Sequence, residues 1–469
     1  MATPDCIQLV GSTQDVIEVV TNAVTNGQLI SARSGGHCYE NFVCNKVVKV
    51  IIDVSGLDQI SYDDTRKLYC VGAGATNWQI CTHLFRLCDR VLPGGSCYSV
   101  GAGGHICSGG FGLLSRQFGL TVDYLDAVEV VVVRDGQAEA VFAPRDSANA
   151  NVRDLWWAHT GGGGGNFGVI TKYWFRDLPK PPKHVWLSSA QFNWSDLNKD
   201  NNFYRLVDNY GKFFAAHKDP ADKYADLFAI LKLTHVSNGR VELIVQLNAT
   251  SQDDKQKLND FYSELLQVLQ GEPPIPLLKR QDQFMPWIQA AQTLNESGPN
   301  RRGKYKSAYH RTSFTEDHIQ AFCRHLNDLN YTNSEALLQI DSYGCAINKT
   351  TSASTAVAQR DSALKLQYQT YWTDPREDDT HLAWIREFYA DVYSKTGGVP
   401  DLTDKTDGCF IGYPDVDLSN PDWNKSKTPW SGLYYKDNYH RLQQIKTHWD
   451  PAKIFHHAQS IEPLPPPGG

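Results

Sequence analysis

Ala32-Arg33-Ser34-Gly35-Gly36-His37-Cys38-Tyr39 is the stretch that decides the fold. The short apolar run at 29–32 reads as a strand, and it ends in Ser-Gly-Gly. Successive bare amides in such a turn form a nest that binds an anion such as a pyrophosphate. A histidine directly after the nest stands where the ring system of a bound cofactor can lie. The same residues also suit a tight turn followed by a hydrogen-bonded surface histidine, and on this motif alone that is the plainer reading.

Working outward, two further glycine clusters share this character. Pro93-Gly94-Gly95-Ser96-Cys97 runs into Val100-Gly101-Ala102-Gly103-Gly104-His105, which leaves Cys97 between glycine loops with few bulky neighbours. A thiolate there would be a strong nucleophile, although a structural cysteine is the plainer reading. Gly161 to Gly165, with Asn166, Phe167 and Gly168, follows the apolar Leu155-Trp156-Trp157. This run lacks the Rossmann spacing and its downstream acid, which argues against a nicotinamide site.

Around these loops the first 175 or so residues alternate strand and helix patterns. Strands are expected at 29–32, 47–54, 68–71, 128–133 and 138–142, with helices at 15–26 and 76–87. Composition changes at Pro179-Lys180-Pro181-Pro182. Beyond it come longer amphipathic helices at 254–269 and 381–393 and strands at 240–247 and 364–372. A last helix at 438–449 precedes a Pro-rich tail. The pattern is α/β or α+β.

Composition narrows the function. Lys and Arg number 45 against 52 Asp and Glu, a net charge of −7 without a basic run, which disfavours a nucleic-acid partner. No apolar stretch approaches the ~20 residues of a membrane span. Met1-Ala2-Thr3-Pro4-Asp5 lacks the basic and apolar regions of a signal peptide, so the chain is cytoplasmic or had a leader removed. Asn-x-Ser/Thr sequons at Asn193, Asn248, Asn295, Asn330, Asn348 and Asn424 permit secretion without showing it. The 11 cysteines form no Cys-x-x-Cys pair and no ligand spacing with histidine, so no metal site is expected.

Taken together, 33–39, 97–101, 154–165, 434–451 and the close Gln459-Ser460-Ile461 resemble the berberine-bridge-enzyme-like flavoproteins over nearly the whole chain. The look is that of their bacterial members that oxidise sugars and natural products. The resemblance implies the two-domain vanillyl-alcohol-oxidase architecture, an α+β fold. An FAD-binding domain at 1–178 is completed by 409–469, and an antiparallel sheet flanked by helices forms a substrate domain at 179–408. It implies FAD held covalently at its C8α methyl by His37 and at C6 by Cys97. Arg33, Ser34, Gly35, Gly36, Gly101, Gly104, His105, Gly165, Asn166, Val169 and Asn438 are expected around the cofactor.

The implied reaction takes hydride from an alcohol carbon of a sugar or glycosylated metabolite, with O2 reduced to H2O2. A dehydrogenase with another acceptor and an oxidative cyclase are the alternatives. The hydroxyl proton needs a base, which the resemblance assigns to Tyr434; an unperturbed tyrosine, with a pKa of ~10, needs a neighbour that lowers it. Alternation along 364–372 turns Lys365, Gln367, Gln369 and Tyr371 to one face, and the resemblance turns that face to the flavin. Tyr39, Phe111 and Tyr343 are implied as further substrate contacts. Gln367 stands where berberine bridge enzyme has its glutamate base, which argues against the cyclase. Phe111 replaces a tyrosine common in relatives. Val100 is implied as the residue that gates oxygen.

Overall fold

The computed structural model describes residues 4–267, 273–297 and 301–466. Three sheets organise it. A small parallel sheet carries β1 (Cys6–Leu9), β2 (Ile30–Arg33) and β3 (Val50–Asp53) in the order β1-β3-β2. Beside it, β4 (Ile60–Asp63), β5 (Leu68–Gly72), β6 (Leu125–Arg134), β7 (Gln137–Pro144) and β8 (Val169–Phe175) form an antiparallel sheet ordered β4-β5-β8-β6-β7. The third sheet is antiparallel and seven-stranded, ordered β12-β9-β11-β10-β14-β15-β13. Its strands are β9 (His184–Asn193), β10 (Leu227–Thr234), β11 (Arg240–Ala249), β12 (Lys279–Pro286), β13 (Arg302–His310), β14 (Leu337–Ser342) and β15 (Leu364–Trp372).

Local chemistry explains most boundaries. The first helix, Thr13–Thr25, starts at a capping box in which Ser12 and Asp15 satisfy each other's backbone amides, and Gly27 leaves it at φ +61°. The helix expected at 76–87 is regular only over Asn77–His83. Its last turn, Leu84–Cys88, widens into a π-helical turn that ends at Asp89 in the left-handed region. Within the expected 254–269, the helix covers Lys255–Leu266, and 268 and 269 lie outside the described residues.

On one face of the large sheet, the helices Asn202–Ala216, Lys255–Leu266, Glu316–Leu326 and Asp378–Val392 pack together. Tyr368 of β15 points into them, its ring 5.1 Å from both Phe388 and Tyr389. The residues between, Lys365, Gln367, Gln369 and Tyr371, therefore take the opposite face, as alternation requires. That face looks toward the glycine loops of the N-terminal part, where Phe111 meets Phe228 at 5.7 Å.

The chain end returns to the N-terminal sheets. Along the helix Asn438–Trp449, Lys446 Nζ binds the Asn166 and Phe455 carbonyls and Asp450, and Trp449 donates to the Asn151 carbonyl at 3.1 Å. Ile461 N–H donates to Asn166 Oδ1 at 3.0 Å. No helix among the described residues is long and apolar enough to cross a membrane.

Candidate active site

Two glycine loops meet backbone to backbone. A Cβ on Gly35 would stand 2.3 Å from the Gly101 nitrogen, and one on Gly101 would stand 2.0 Å from Ser34 Oγ. Both positions exclude any side chain, which ties His37, two residues past Gly35, to the loop that carries Cys97. Ser34 Oγ anchors the first loop on the Ala73 carbonyl at 2.7 Å, and Arg33 pairs with Asp53. Gly36 leaves the turn at φ +75°.

His37 Nε2 lies 2.8 Å from Ser99 Oγ, and Cys97 Sγ lies 2.8 Å from Ser297 Oγ. The two serine hydroxyls touch, so one chain of polar groups joins the imidazole to the thiol. Desolvation lowers the pKa of His37 and Ser99 partly opposes it, which favours the neutral, nucleophilic ring. His105 is held neutral more firmly: burial, then the charge of Lys365, bring it down to about 4, and its Nε2 accepts from the Gly95 amide at 2.9 Å.

Above these loops stands a wall of aromatic and amide groups. Tyr39 stacks on Tyr305 with ring centroids 3.5 Å apart and approaches Tyr413 at 5.3 Å. Gln367 donates to the Tyr39 hydroxyl at 2.9 Å, and the Tyr371 hydroxyl donates to Gln369 at 2.7 Å. Cys97 lies within electrostatic reach of Tyr39, Tyr371 and Tyr413.

Lys365 supplies the charge. Its Nζ lies 4.1 Å from the Tyr413 ring centre, 4.3 Å from Phe410 and 4.4 Å from Phe111. Burial brings its pKa down to about 7, and Asp341, its register partner on β14, resists that fall. Burial likewise raises Asp341 to about 6, against Lys365 and the 2.8 Å hydrogen bond from Gln339. Phe111 thus offers Lys365 a ring face and no hydroxyl.

Tyr434, expected here as the base, stands elsewhere. It is 2% exposed, its ring neighbours are Trp430 and Tyr435, and its hydroxyl accepts the Asp415 amide at 2.9 Å. Burial, followed by Cys409 and Asp415, raises its pKa; burial and Asp341 raise that of Tyr413 as well, so it is position and not pKa that separates the two tyrosines. The tyrosine that faces Cys97 and Lys365 is Tyr413, two residues before Asp415. Tyr413 is not among the residues expected from the sequence, although Gly412-Tyr413-Pro414-Asp415 lies in the segment where the chain returns.

Other expected residues divide in the same way. Tyr343 is fully buried behind Phe111, its ring 5.3 Å away and its hydroxyl donated to the Gln359 carbonyl at 3.0 Å. Asn438 binds the carbonyls of Ser352, Thr355 and Ala356, which makes it a tie between loops. Asn166 is buried and donates to the carbonyls of Gly162, Gly163 and Gly164, shaping the glycine run from below. Val169 is buried at the start of β8. Gly164 and Gly165 are exposed, and a side chain at Gly104 would meet nothing within 4 Å. Val100 is half-buried, and its carbonyl accepts the Asn77 amide at 2.9 Å.

Bare amides in exposed glycine turns, a neutral imidazole and a thiol on one edge, and a tyrosine wall opposite fit a group with a pyrophosphate and a flat ring. The comparisons with known proteins agree. A family model described as an FAD binding domain matches residues 4–141, and one described as berberine and berberine like matches 409–462. The chain is 39% identical to the aclacinomycin-N/aclacinomycin-A oxidase of Streptomyces galilaeus, over 98% of this chain and 85% of that protein. It is 40% identical to the hexose oxidase of Chondrus crispus, over 91% and 84%. The crystal structure of the glycopeptide hexose oxidase DBV29 complexed with teicoplanin superposes with a TM-score of 0.92 at 40% identity, covering 98% of this chain and 94% of that one.

Proposed function

The chain belongs to the berberine-bridge-enzyme-like FAD-linked oxidoreductases, and we propose that it oxidises a hydroxyl-bearing carbon of a sugar or glycosylated natural product and passes the electrons to oxygen. FAD is its cofactor. When bound, FAD supplies the hydride acceptor and the route by which two electrons reach O2. We assign 1–178 with 409–469 to holding it and 179–408 to the substrate. His37 and Cys97 are its covalent anchors, the turn Ser34-Gly35-Gly36 and the exposed Gly104 and Gly165 receive its phosphates and ring, and Val100 borders the path of oxygen.

One observation carries the reading: Tyr413 and Lys365 stand together on the side of Cys97. The substrate hydroxyl must lose a proton as its carbon loses hydride, and a group within hydrogen-bond reach has to take it. Tyr413 is that acceptor in this account. The Lys365 ammonium over its ring acts against burial, Asp341, Tyr371 and Cys97, which raise the Tyr413 pKa; because burial brings Lys365 down to about 7, the pair has a single proton to share above that pH. Tyr39, Gln367 and Gln369 offer hydroxyl and amide groups that suit a polyhydroxylated substrate. The relatives point the same way: one is named for hexoses, and another was crystallised with a glycopeptide.

The test is a panel of D-glucose, D-galactose, maltose and cellobiose, with peroxide detection in air and flavin bleaching under anaerobic conditions. Turnover with stoichiometric peroxide is expected for at least one sugar. Bleaching without reoxidation in air makes the protein a dehydrogenase, and no bleaching by any of the four overturns the sugar reading.

A further inference from the structure

Behind the tyrosine wall lies a cluster of six charges. Lys304 and Lys306 of β13, 6% and 2% exposed at their side chains, meet Glu40, Asp415 and Asp417, at 13%, 2% and 3%. Lys304 Nζ is 2.5 Å from Glu40, 2.8 Å from Asp415 and 3.6 Å from Asp417. Lys306 Nζ is 2.7 Å from Asp415 and 2.8 Å from Asp417, and Arg386 closes the far side on Asp417 at 2.9 and 3.0 Å. Three cations balance three carboxylates. Burial opposes the ammonium of Lys304, but Asp415, Glu40 and Asp417 outweigh it and raise its pKa; burial also opposes ionised Asp417, and Lys306 and Arg386 hold its carboxyl well below the usual range.

Buried ion pairs seldom stabilise a fold more than well-packed apolar residues would, so stability is a poor reason for such a cluster. Its connections suggest another. Glu40 directly follows Tyr39, and Asp415 lies two residues after Tyr413. Glu40 also accepts the Val416 amide at 3.2 Å, which couples the two loops to each other. Every hydrogen-bonding group of Asp415 is engaged: its amide on the Tyr434 hydroxyl, its carbonyl on Gln459 Nε2 at 2.7 Å, its carboxylate on both lysines and on the Asp417 amide. On the opposite face of β13, Tyr305 stacks on Tyr39.

We propose that Lys304 is a positioning residue for the reaction: by holding Glu40 and Asp415 with one ammonium, it sets where Tyr39 and Tyr413 stand relative to each other and where the Tyr413 hydroxyl meets the substrate. The inference rests on Tyr413 as the proton acceptor. It gives Tyr434 a role as well, as a strut behind the loop that carries Tyr413.

The test is a double-mutant cycle read by anaerobic flavin reduction, per mole of bound flavin, with whichever of the four sugars bleaches the wild type fastest. Lys304→Met is expected to slow the limiting reduction rate by about 10- to 100-fold, the scale on which a small misplacement of a catalytic group acts, with little change in half-saturation. Lys304→Arg is expected to recover most of that loss. In a Tyr413→Phe background, Lys304→Met is expected to cost nothing further, because there is no acceptor left to place. Should Lys304→Met fail to fold, Glu40→Gln, nearly isosteric and leaving Lys304 two partners, is run through the same cycle with a smaller loss expected. Wild-type rates in the folded variant, or an equal loss in both backgrounds, overturn the proposal. A wild-type rate in Tyr413→Phe itself defeats the assignment of the acceptor instead.

Discussion

Replacing Lys365 with methionine removes one buried charge and keeps the length of the side chain. Its Nζ stands 4.1 Å from the Tyr413 ring centre. At an effective dielectric of about 20, a unit charge at that distance is worth roughly 4 kcal/mol to the phenolate, or about a thousandfold in its population. The sign follows from the pair. Lys365 sheds its proton at about 7 while burial and Asp341 keep Tyr413 protonated, so above that pH the two share one proton, and flavin reduction should rise through about 7 and level off above it. Without the ammonium the same limb should move toward the alkaline range of an unaided buried phenol. At pH 7 the expected loss is about 100- to 1000-fold, within the span general-base effects cover. Asp341, already raised to about 6 by burial, can protonate when its partner is removed, which limits the structural cost. The assay is anaerobic stopped-flow reduction between pH 5.5 and 9. An unchanged profile in Lys365→Met, with flavin content equal to wild type, would refute the pairing.

Further expectations concern the cofactor. Denatured wild type should stay yellow after acid precipitation; His37→Ala should retain flavin through Cys97 and Cys97→Ala through His37, while the double variant should release it, as intact-protein mass reports directly. Gly35→Ala, whose Cβ would meet the Gly101 and Ser99 backbones at 2.3 and 2.6 Å, should lower the bound flavin per chain, seen in the ratio of visible to protein absorbance. Val100→Leu should slow reoxidation in air strongly and leave anaerobic reduction nearly intact; if Val100 is packing alone, the change should cost ~1–3 kcal/mol of stability and leave both rates equal to wild type.

The parts of this structure legible in the sequence are those set by local rules. β15 spans Leu364–Trp372 as its alternation indicates, and the last helix spans Asn438–Trp449 as its spacing indicates. Glycine density marked the loops, because only bare backbone can pack as Gly35 packs on Gly101. Tyr413, the proposed proton acceptor, was not legible from local pattern. Tyr413, Tyr434, Tyr435 and Tyr439 all stand in the returning segment, and which of them faces the pocket depends on partners over a hundred positions away. Lys306 reaches Asp415 across 109 residues and turns one loop inward, whereas Tyr435 is spent on the Gly162 carbonyl at 2.9 Å across 273. The lysines of β13 were equally hidden, since Lys-Tyr-Lys on a strand reads as two solvated charges around a packed ring until the facing carboxylates are known.

The most direct test of the account compares Tyr413→Phe with Tyr434→Phe, each preserving its ring and losing one hydroxyl. Flavin reduction by the best sugar, measured anaerobically at pH 8, should fall at least ~100-fold in Tyr413→Phe, the usual scale for losing a general base. Tyr434→Phe frees only the Asp415 amide and should fall far less. A near-wild-type rate in Tyr413→Phe, or the larger loss in Tyr434→Phe, would contradict the placement of the reaction between Cys97, Lys365 and Tyr413.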